Sequence, residues 1–124
     1  MAEFGYPRAS RLLTPGDFKC VFDRASFKVS DPSLLILART NELGHPRLGF
    51  VISKKNVRRA VKRSHIRRII RESFRLRQHQ LPSVDIIILA RKGLDTLDSS
   101  QLRTLIERSW TRLERKSSNA QKDN

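Results

Sequence analysis

The chain has 124 residues, which is enough for one domain with a single hydrophobic core. Its formal net charge of +14 and pI near 11.4 are too extreme for solubility alone and point to a nucleic acid or an anionic membrane surface. The single cysteine, Cys20, excludes an internal disulfide and a cysteine-based zinc site, and it suits a reducing cytoplasm. No apolar run reaches the ~20 residues that span a bilayer. Attachment to a membrane surface would need apolar residues free to insert, and the apolar stripe of the basic segment is more economically used as core, so nucleic acid is the better partner and no membrane contact is expected.

The first half of the chain predicts one short helix and two strands. Residues 1–13 read as an extended, basic lead-in. Thr14 can cap and Pro15 can begin a helix that ends near Arg24. Its apolar stripe consists of Phe18, Val21, Phe22 and Ala25. Strands are expected at 34–38 and 47–53, and the loop 41–46 between them favours an antiparallel hairpin.

The segment 54–77 combines high positive charge with helical periodicity. It contains eleven Lys or Arg residues and one acid, Glu72. An apolar stripe of the kind that docks a helix on a core is formed by Ile66, Ile69, Ile70 and Phe74. Arg59, Lys62 and Arg63 fall in line with that stripe, where unpaired charges cannot be buried cheaply. We therefore expect the first turns to overhang the core as a docking surface for an anion, the alternative being a solvated basic helix.

The second half predicts a buried strand and a final helix. Pro82 ends the basic helix near Gln80, and the apolar run VDIIILA (84–90) is typical of a strand covered on both faces. Asp98 or Ser99 caps the last helix. Its stripe is Leu102, Leu105, Ile106, Ser109 and Leu113, with Trp110 at the margin. Residues 116–124 are polar and patternless, which indicates a disordered tail. The order is α-β-β-α-β-α, an α+β fold (an α/β sandwich) in one RNA-binding domain, 1–115.

The sequence offers no catalytic arrangement. His45, His65 and His79 are spread over a loop and two distant helical positions, and the twelve carboxylates are scattered. Phe18 and Phe22 have two interpretations: helical spacing favours a core role, and the alternative is stacking on unpaired bases in an open groove. From composition alone, a ribosomal-type structural RNA-binding protein is the main alternative to any role in RNA cleavage.

Three motifs resemble the protein component of bacterial ribonuclease P, the enzyme that removes the 5′ leader from precursor tRNA. They are DFKCVF (17–22), RLGFVISKKNVRRAVKRSHIRRIIRESFR (47–75) and DIIILARKG (85–93). The family signature is written R-N-R-x-x-R. This chain keeps its first and last arginines, Arg63 and Arg68, and has Ser64 and His65 where Asn and Arg are usual. The neutral imidazole of His65 has neither the positive charge of a guanidinium nor its paired N–H donors.

The resemblance implies a function and a fold. The catalyst would be a large RNA subunit that carries Mg²⁺, paired 1:1 with a protein that contributes no catalytic or metal-binding residue. Endonucleolytic cleavage would then give the mature 5′ end of the tRNA. The fold would contain a left-handed βαβ crossover, similar to the second domain of a small-subunit ribosomal protein. Phe18 and Phe22 would line a cleft for the single-stranded leader. The catalytic RNA would be bound by Lys54, Lys55, Arg58, Arg59, Lys62, Arg63, His65, Arg67, Arg68 and Arg71.

Overall fold

The computed structural model describes residues 14–122, and the predicted lead-in at 1–13 lies outside them. Three helices and four strands follow one another within these described residues. They are α1 (Pro15–Asp23), β1 (Phe27–Asp31), β2 (Leu34–Thr40), β3 (Arg47–Val51), α2 (Ala60–Arg77), β4 (Val84–Ala90) and α3 (Ser99–Lys122), with a 3₁₀ turn at Leu94–Thr96 before α3. The expected α+β class is confirmed.

The strand β1 is absent from the sequence-based prediction. It pairs antiparallel with β2 through a two-residue connection, Pro32 and Ser33. Phe27 and Val29 face the core and Lys28 faces away, the period-2 pattern of a strand. Five residues between a helix and a turn carry too short a pattern to reveal such an edge strand.

The predicted hairpin between β2 and β3 is wrong. The strand order is β1-β2-β4-β3, so β4 lies between them, antiparallel to β2 and parallel to β3. The loop 41–46 passes around the start of β4, where the Asn41 backbone N–H donates to the Ser83 carbonyl at 3.0 Å. In that loop Gly44 adopts a φ of 83°, a left-handed conformation that glycine tolerates best. The most apolar strand thus takes a central position, with both faces covered as predicted.

The helix α2 connects the parallel neighbours β3 and β4, which makes a βαβ crossover. Its left-handed sense stays a prediction of the resemblance. α2 and α3 cover one face of the sheet, and the main core lies between the sheet and these two helices. Ile36, Ile86 and Ile88 supply fully buried side chains from the sheet.

The contact between α2 and α3 centres on Trp110. Its ring lies 6.2 Å from that of Phe74 at an interplanar angle of 58°, and its Nε1 donates to Ser73 Oγ at 2.9 Å. Trp110 is completely buried, so the buried face of α3 includes the residue predicted at its margin. The helix continues to Lys122 with Ser117 buried, whereas the sequence predicts a disordered tail from 116. A helical stripe read from apolar residues alone misses Ser117, because serine is usually exposed.

Candidate nucleic-acid interface

The basic helix α2 is docked on the core by one face only. Ile66, Ile69, Ile70 and Phe74 are all buried, as predicted. No residue from 60 to 65 is buried, so the first turns extend beyond the core and carry their cations to the surface. Arg59 is the N-cap residue, and Ala60 begins the helix. The sequence-predicted cations form one continuous set from the preceding turn through the middle of α2. Lys54, Lys55, Arg58, Arg59, His65 and Arg68 are exposed, and Lys62, Arg63, Arg67 and Arg71 are half-buried.

A short anchored turn presents the first four of these cations. The Val57 backbone N–H donates to the Ser53 carbonyl at 2.9 Å, and the Val57 side chain is fully buried. Asn56 Nδ2 donates to the Ala90 carbonyl at 2.9 Å, which ties the turn to the end of β4. The backbone between β3 and α2 is therefore held at two points, and its Lys and Arg side chains project from a fixed base.

Arg63 has a structural contact that the sequence did not reveal. Its Nη1 donates to the carbonyls of Val57 at 3.0 Å and Arg58 at 2.9 Å. One edge of the guanidinium thus closes the turn before α2. Since a guanidinium has five N–H donors, the remaining ones stay available for phosphate oxygens.

His65 connects the start of α2 to the start of α3. Its Nε2 lies 2.9 Å from Ser99 Oγ, within hydrogen-bond distance. Beside it a surface cavity of about 420 Å³ is lined by residues of the first two turns: Ala60, Val61, Ser64, His65 and Arg68. Val61 is 80% exposed, which is unusual for a valine in a helix.

The second candidate site is a cleft between α1 and the sheet face opposite the main core. Leu35, Leu37, Ile87 and Leu89 point to this face, which we call the open face. α1 covers it only in part, because Val21 packs on Ile87 while Leu35, Leu37 and Leu89 stay half-buried. An apolar floor of this kind, reached from solvent, is suited to the faces of unpaired bases.

The structure separates the two phenylalanines of α1. Phe18 is half-buried and packs against the small cluster around Val21 and Ile87. Phe22 is 45% exposed, so its ring is open to solvent. The core interpretation from local spacing therefore describes Phe18 better than Phe22.

An ion-pair network holds α1 over the sheet. Arg47 donates to Asp85 twice, from Nε at 2.8 Å and from Nη2 at 2.7 Å, and its Nη2 also lies 3.5 Å from Asp17 Oδ1 in α1. Asn41 Nδ2 donates to the same Asp85 carboxylate at 2.8 Å. The hydrogen bond to Asp85 raises the pKa of the Arg47 guanidinium, although partial burial acts in the opposite direction.

Sequence reasoning missed this network and one exposed cation. Asp85 is the only polar residue in an otherwise apolar strand, and that is the signal that could have revealed its partner. Lys28 is exposed on the open face, opposite Leu37, and it was overlooked because β1 was not predicted.

The described part of the chain offers neither a metal site nor a membrane-spanning helix. Among residues 14–122, no group of three or more His, Cys, Asp or Glu side chains is arranged to hold a metal ion. Within the same residues, no helix combines the length and apolar character needed to cross a membrane.

The chain is similar over most of its length to proteins of one family. The family described as Ribonuclease P matches residues 6–114. A ribonuclease P protein component from Chromohalobacter salexigens is 57% identical over 115 residues, which cover 93% of this chain and 90% of that protein. One from Escherichia coli is 47% identical over 112 residues, which cover 90% of this chain and 93% of that protein. The chain belongs to the ribonuclease P protein family.

Solved structures of ribonuclease P proteins share the fold. The Staphylococcus aureus protein matches with a TM-score of 0.76 and 29% identity, over 82% of this chain and 93% of that one. The Thermotoga maritima protein matches with a TM-score of 0.74 and 28% identity, over 82% of this chain and 98% of that one. The chain is thus the protein subunit of a ribonucleoprotein endoribonuclease of tRNA processing, and the ribosomal-type alternative is not favoured.

Proposed function

We propose that this ribonuclease P protein binds the catalytic RNA with α2 and its preceding turn, and the 5′ leader of precursor tRNA with the open-face cleft. The observation that carries the proposal is the placement of charge on α2. Eleven Lys or Arg residues occur between 54 and 77, while the apolar stripe of the same helix is buried in the core. The buried stripe therefore keeps the cations from Lys54 to Arg71 out of the core.

The RNA-subunit contact is electrostatic in this proposal. Each cation that neutralises a phosphate releases condensed counterions, so affinity falls steeply as salt rises. The residues assigned to this contact lie on α2 or on the turn that precedes it, and all are at least partly exposed. They are Lys54, Lys55, Arg58, Arg59, Lys62, Arg63, His65, Arg67, Arg68 and Arg71. His65 uses one ring nitrogen in its contact with Ser99, so we expect it to bind RNA more weakly than an arginine at this position would.

The leader contact combines stacking with charge. The exposed ring of Phe22 can stack on a leader base, and Phe18 supports it from the half-buried side of α1. Lys28 stands on the same sheet face and can pair with a leader phosphate. None of these groups reads a base edge, so we expect little dependence on leader sequence.

Binding both RNAs explains how a protein without catalytic residues promotes cleavage. A leader held in the cleft keeps the scissile phosphate in fixed geometry against the RNA subunit. Magnesium is assigned to the RNA subunit, as the resemblance implies, and supplies the charge stabilisation of phosphodiester hydrolysis. The working unit is one protein domain with one RNA in the cytoplasm.

The α2 assignment is tested by RNA-subunit affinity as a function of salt. Replacing Arg67 and Arg71 together by Ala should weaken binding and lower the slope of log K against log salt by about 1.5, because two phosphate contacts are lost. The control replaces Arg103 and Lys116 by Ala, two exposed cations of α3. An unchanged slope in the α2 variant, or an equal fall in the control, rejects the assignment.

The cleft assignment is tested by comparing precursor with mature tRNA on the assembled holoenzyme. Phe22→Ala should weaken precursor binding about tenfold, since base stacking contributes ~1–3 kcal/mol, and leave mature tRNA unaffected. Leu43→Ala removes an exposed apolar side chain elsewhere and should change neither affinity. Equal losses for precursor and mature tRNA would reject leader binding by Phe22.

A further inference from the structure

A second cleft lies between α3 and the β1–β2 hairpin, separate from α2 and from the open face. Its volume is about 340 Å³. The residues that give it its chemistry are Asp31, Ser33, Leu97, Thr104, Leu105 and Arg108. Leu105 is buried and Leu97 is half-buried against the core, so the floor is apolar and firmly supported.

The walls of this cleft carry the groups that a nucleotide requires. Arg108 supplies a cation for a phosphate. The Thr104 hydroxyl and the Asp31 carboxylate can accept hydrogen bonds from a ribose 2′-hydroxyl or from base N–H groups. The leucine floor can receive the flat face of a base. Cation, acceptors and apolar floor occur together within one concave site.

The charge of Arg108 is not used to stabilise the fold. Its Nη2 lies 3.8 Å from Asp31 Oδ2, and its side chain is 63% exposed, so the pair is a loose surface contact. Asp31 has firmer local contacts, because its Oδ1 accepts from the Ser33 backbone N–H at 3.2 Å.

Two more arginines hold the same hairpin. Arg91 Nη1 donates to the Asp31 carbonyl at 2.7 Å, and Arg112 Nη1 donates to the Ser30 carbonyl at 3.2 Å. Both of these arginines bond backbone carbonyls of the hairpin next to the cleft, and Arg108 is the cation that lines the cleft itself. An exposed guanidinium beside an apolar floor favours an RNA nucleotide, which offers a phosphate and a flat base, over a neutral protein surface.

The cleft also borders the surface assigned to the RNA subunit. Ser99, the first residue of α3, is within 2.9 Å of His65 on α2, and the next residue, Ser100, lines the cleft. An RNA strand that lies along the start of α2 can therefore cross the start of α3 and reach Arg108 without leaving the protein surface.

We propose that this cleft binds an unpaired nucleotide of the catalytic RNA, with its phosphate at Arg108 and its base over Leu97 and Leu105. The inference rests on the proposed function of α2, whose partner it shares. It extends the RNA-subunit contact from one helix to a surface formed by α2, α3 and the β1–β2 hairpin.

Arg108→Ala tests the phosphate contact. RNA-subunit affinity should fall about tenfold at fixed salt, and the salt slope should fall by about one, because one phosphate contact is lost. Arg103→Ala is the matched control, since it removes the same charge from an exposed position of the same helix on the side facing α2. Arg108→Lys should restore most of the slope.

Thr104→Phe tests the base contact without changing the charge. The added ring fills the cleft from an exposed position, so affinity should fall about fivefold while the salt slope and melting temperature stay as in wild type. Normal affinity in either Arg108→Ala or Thr104→Phe overturns the inference, as does an equal loss in Arg103→Ala.

Two outcomes separate this inference from the proposed function. If the Arg67 and Arg71 double variant binds RNA weakly while Arg108→Ala binds normally, only the cleft assignment fails. If the Arg67 and Arg71 variant binds normally, the proposed function itself fails. A loss confined to precursor tRNA binding in Arg108→Ala assigns the cleft to the substrate and overturns the choice of the RNA subunit.

Discussion

The ion pair between Arg47 and Asp85 should be the most sensitive polar contact of the fold. The side chains are 20% and 12% exposed, and Asp85 accepts two bonds from the guanidinium, at 2.8 and 2.7 Å. Asp85→Asn keeps the shape and removes the charge, which leaves the largely buried Arg47 cation with only its longer contact to Asp17. Breaking a buried pair in this way costs about 3–5 kcal/mol, and the residual exposure places this case near 3 kcal/mol. The melting temperature should fall by about 10 °C.

Urea denaturation of three variants measures this effect. Asp23→Asn is the matched control, because Asp23 pairs with Lys19 at 3.4 Å while both side chains are mostly exposed, and it should cost less than about 0.5 kcal/mol. A combined Arg47→Met and Asp85→Leu variant should recover most of the lost stability, since apolar replacement of a buried pair is often neutral. A loss below about 1 kcal/mol for Asp85→Asn, or no recovery in the double variant, would refute the reasoning.

The pH dependence of this pair follows from the direction of the Arg47 shift. A cation whose pKa is raised on folding contributes stability that is complete below its unfolded pKa and is lost only as the pH rises through the folded pKa. Both values lie far above neutrality, so titration of Arg47 should leave the free energy of unfolding unchanged from about pH 6 to pH 9. A fall within that range in wild type that disappears in the double variant would contradict this assignment.

Three further predictions concern packing, backbone and charge. Trp110→Phe removes the donor to Ser73 and should lower the free energy of unfolding by about 2 kcal/mol in urea titrations; wild-type stability would show that the bond is unimportant. Gly93→Ala should lower the free energy of unfolding by about 1 kcal/mol, because Gly93 has a φ of 98°; the cost is backbone strain and not a clash, since no atom lies within 4 Å of the added Cβ. An unchanged urea midpoint would exclude this strain. Sulfate should raise the melting temperature by binding only the folded, strongly basic protein, as measured by circular dichroism, whereas a constant value would reject this linkage.

The candidate RNA-binding helix was largely predictable because its signals are local. Spacing of Ile66, Ile69, Ile70 and Phe74 defines the buried face of α2, and the charge of the remaining positions is a matter of composition. The N-cap of α1 is equally local, and the structure confirms it at Thr14, where the Asp17 side chain completes a capping box. These features depend on residues within two or three turns of one another.

The cleft residues were only partly predictable, because their roles depend on which surface each element covers. Phe18 and Phe22 lie four residues apart on one helix and have the same local pattern, yet one packs on Ile87 and the other is open to solvent. Arg63 likewise follows its neighbours in sequence, but its contacts with the backbone carbonyls before α2 appear only in three dimensions.

By itself, the sequence determined the α+β class, the basic helix with its one buried face, and the resemblance that the family comparison confirmed. Only the tertiary structure decided the strand order, because β2 and β3 are close in sequence while β4 lies between them in the sheet. The physical reason is burial. The apolar residues of β4 are covered on both faces only at the centre, and pairing there outweighs the short connection that favours a hairpin.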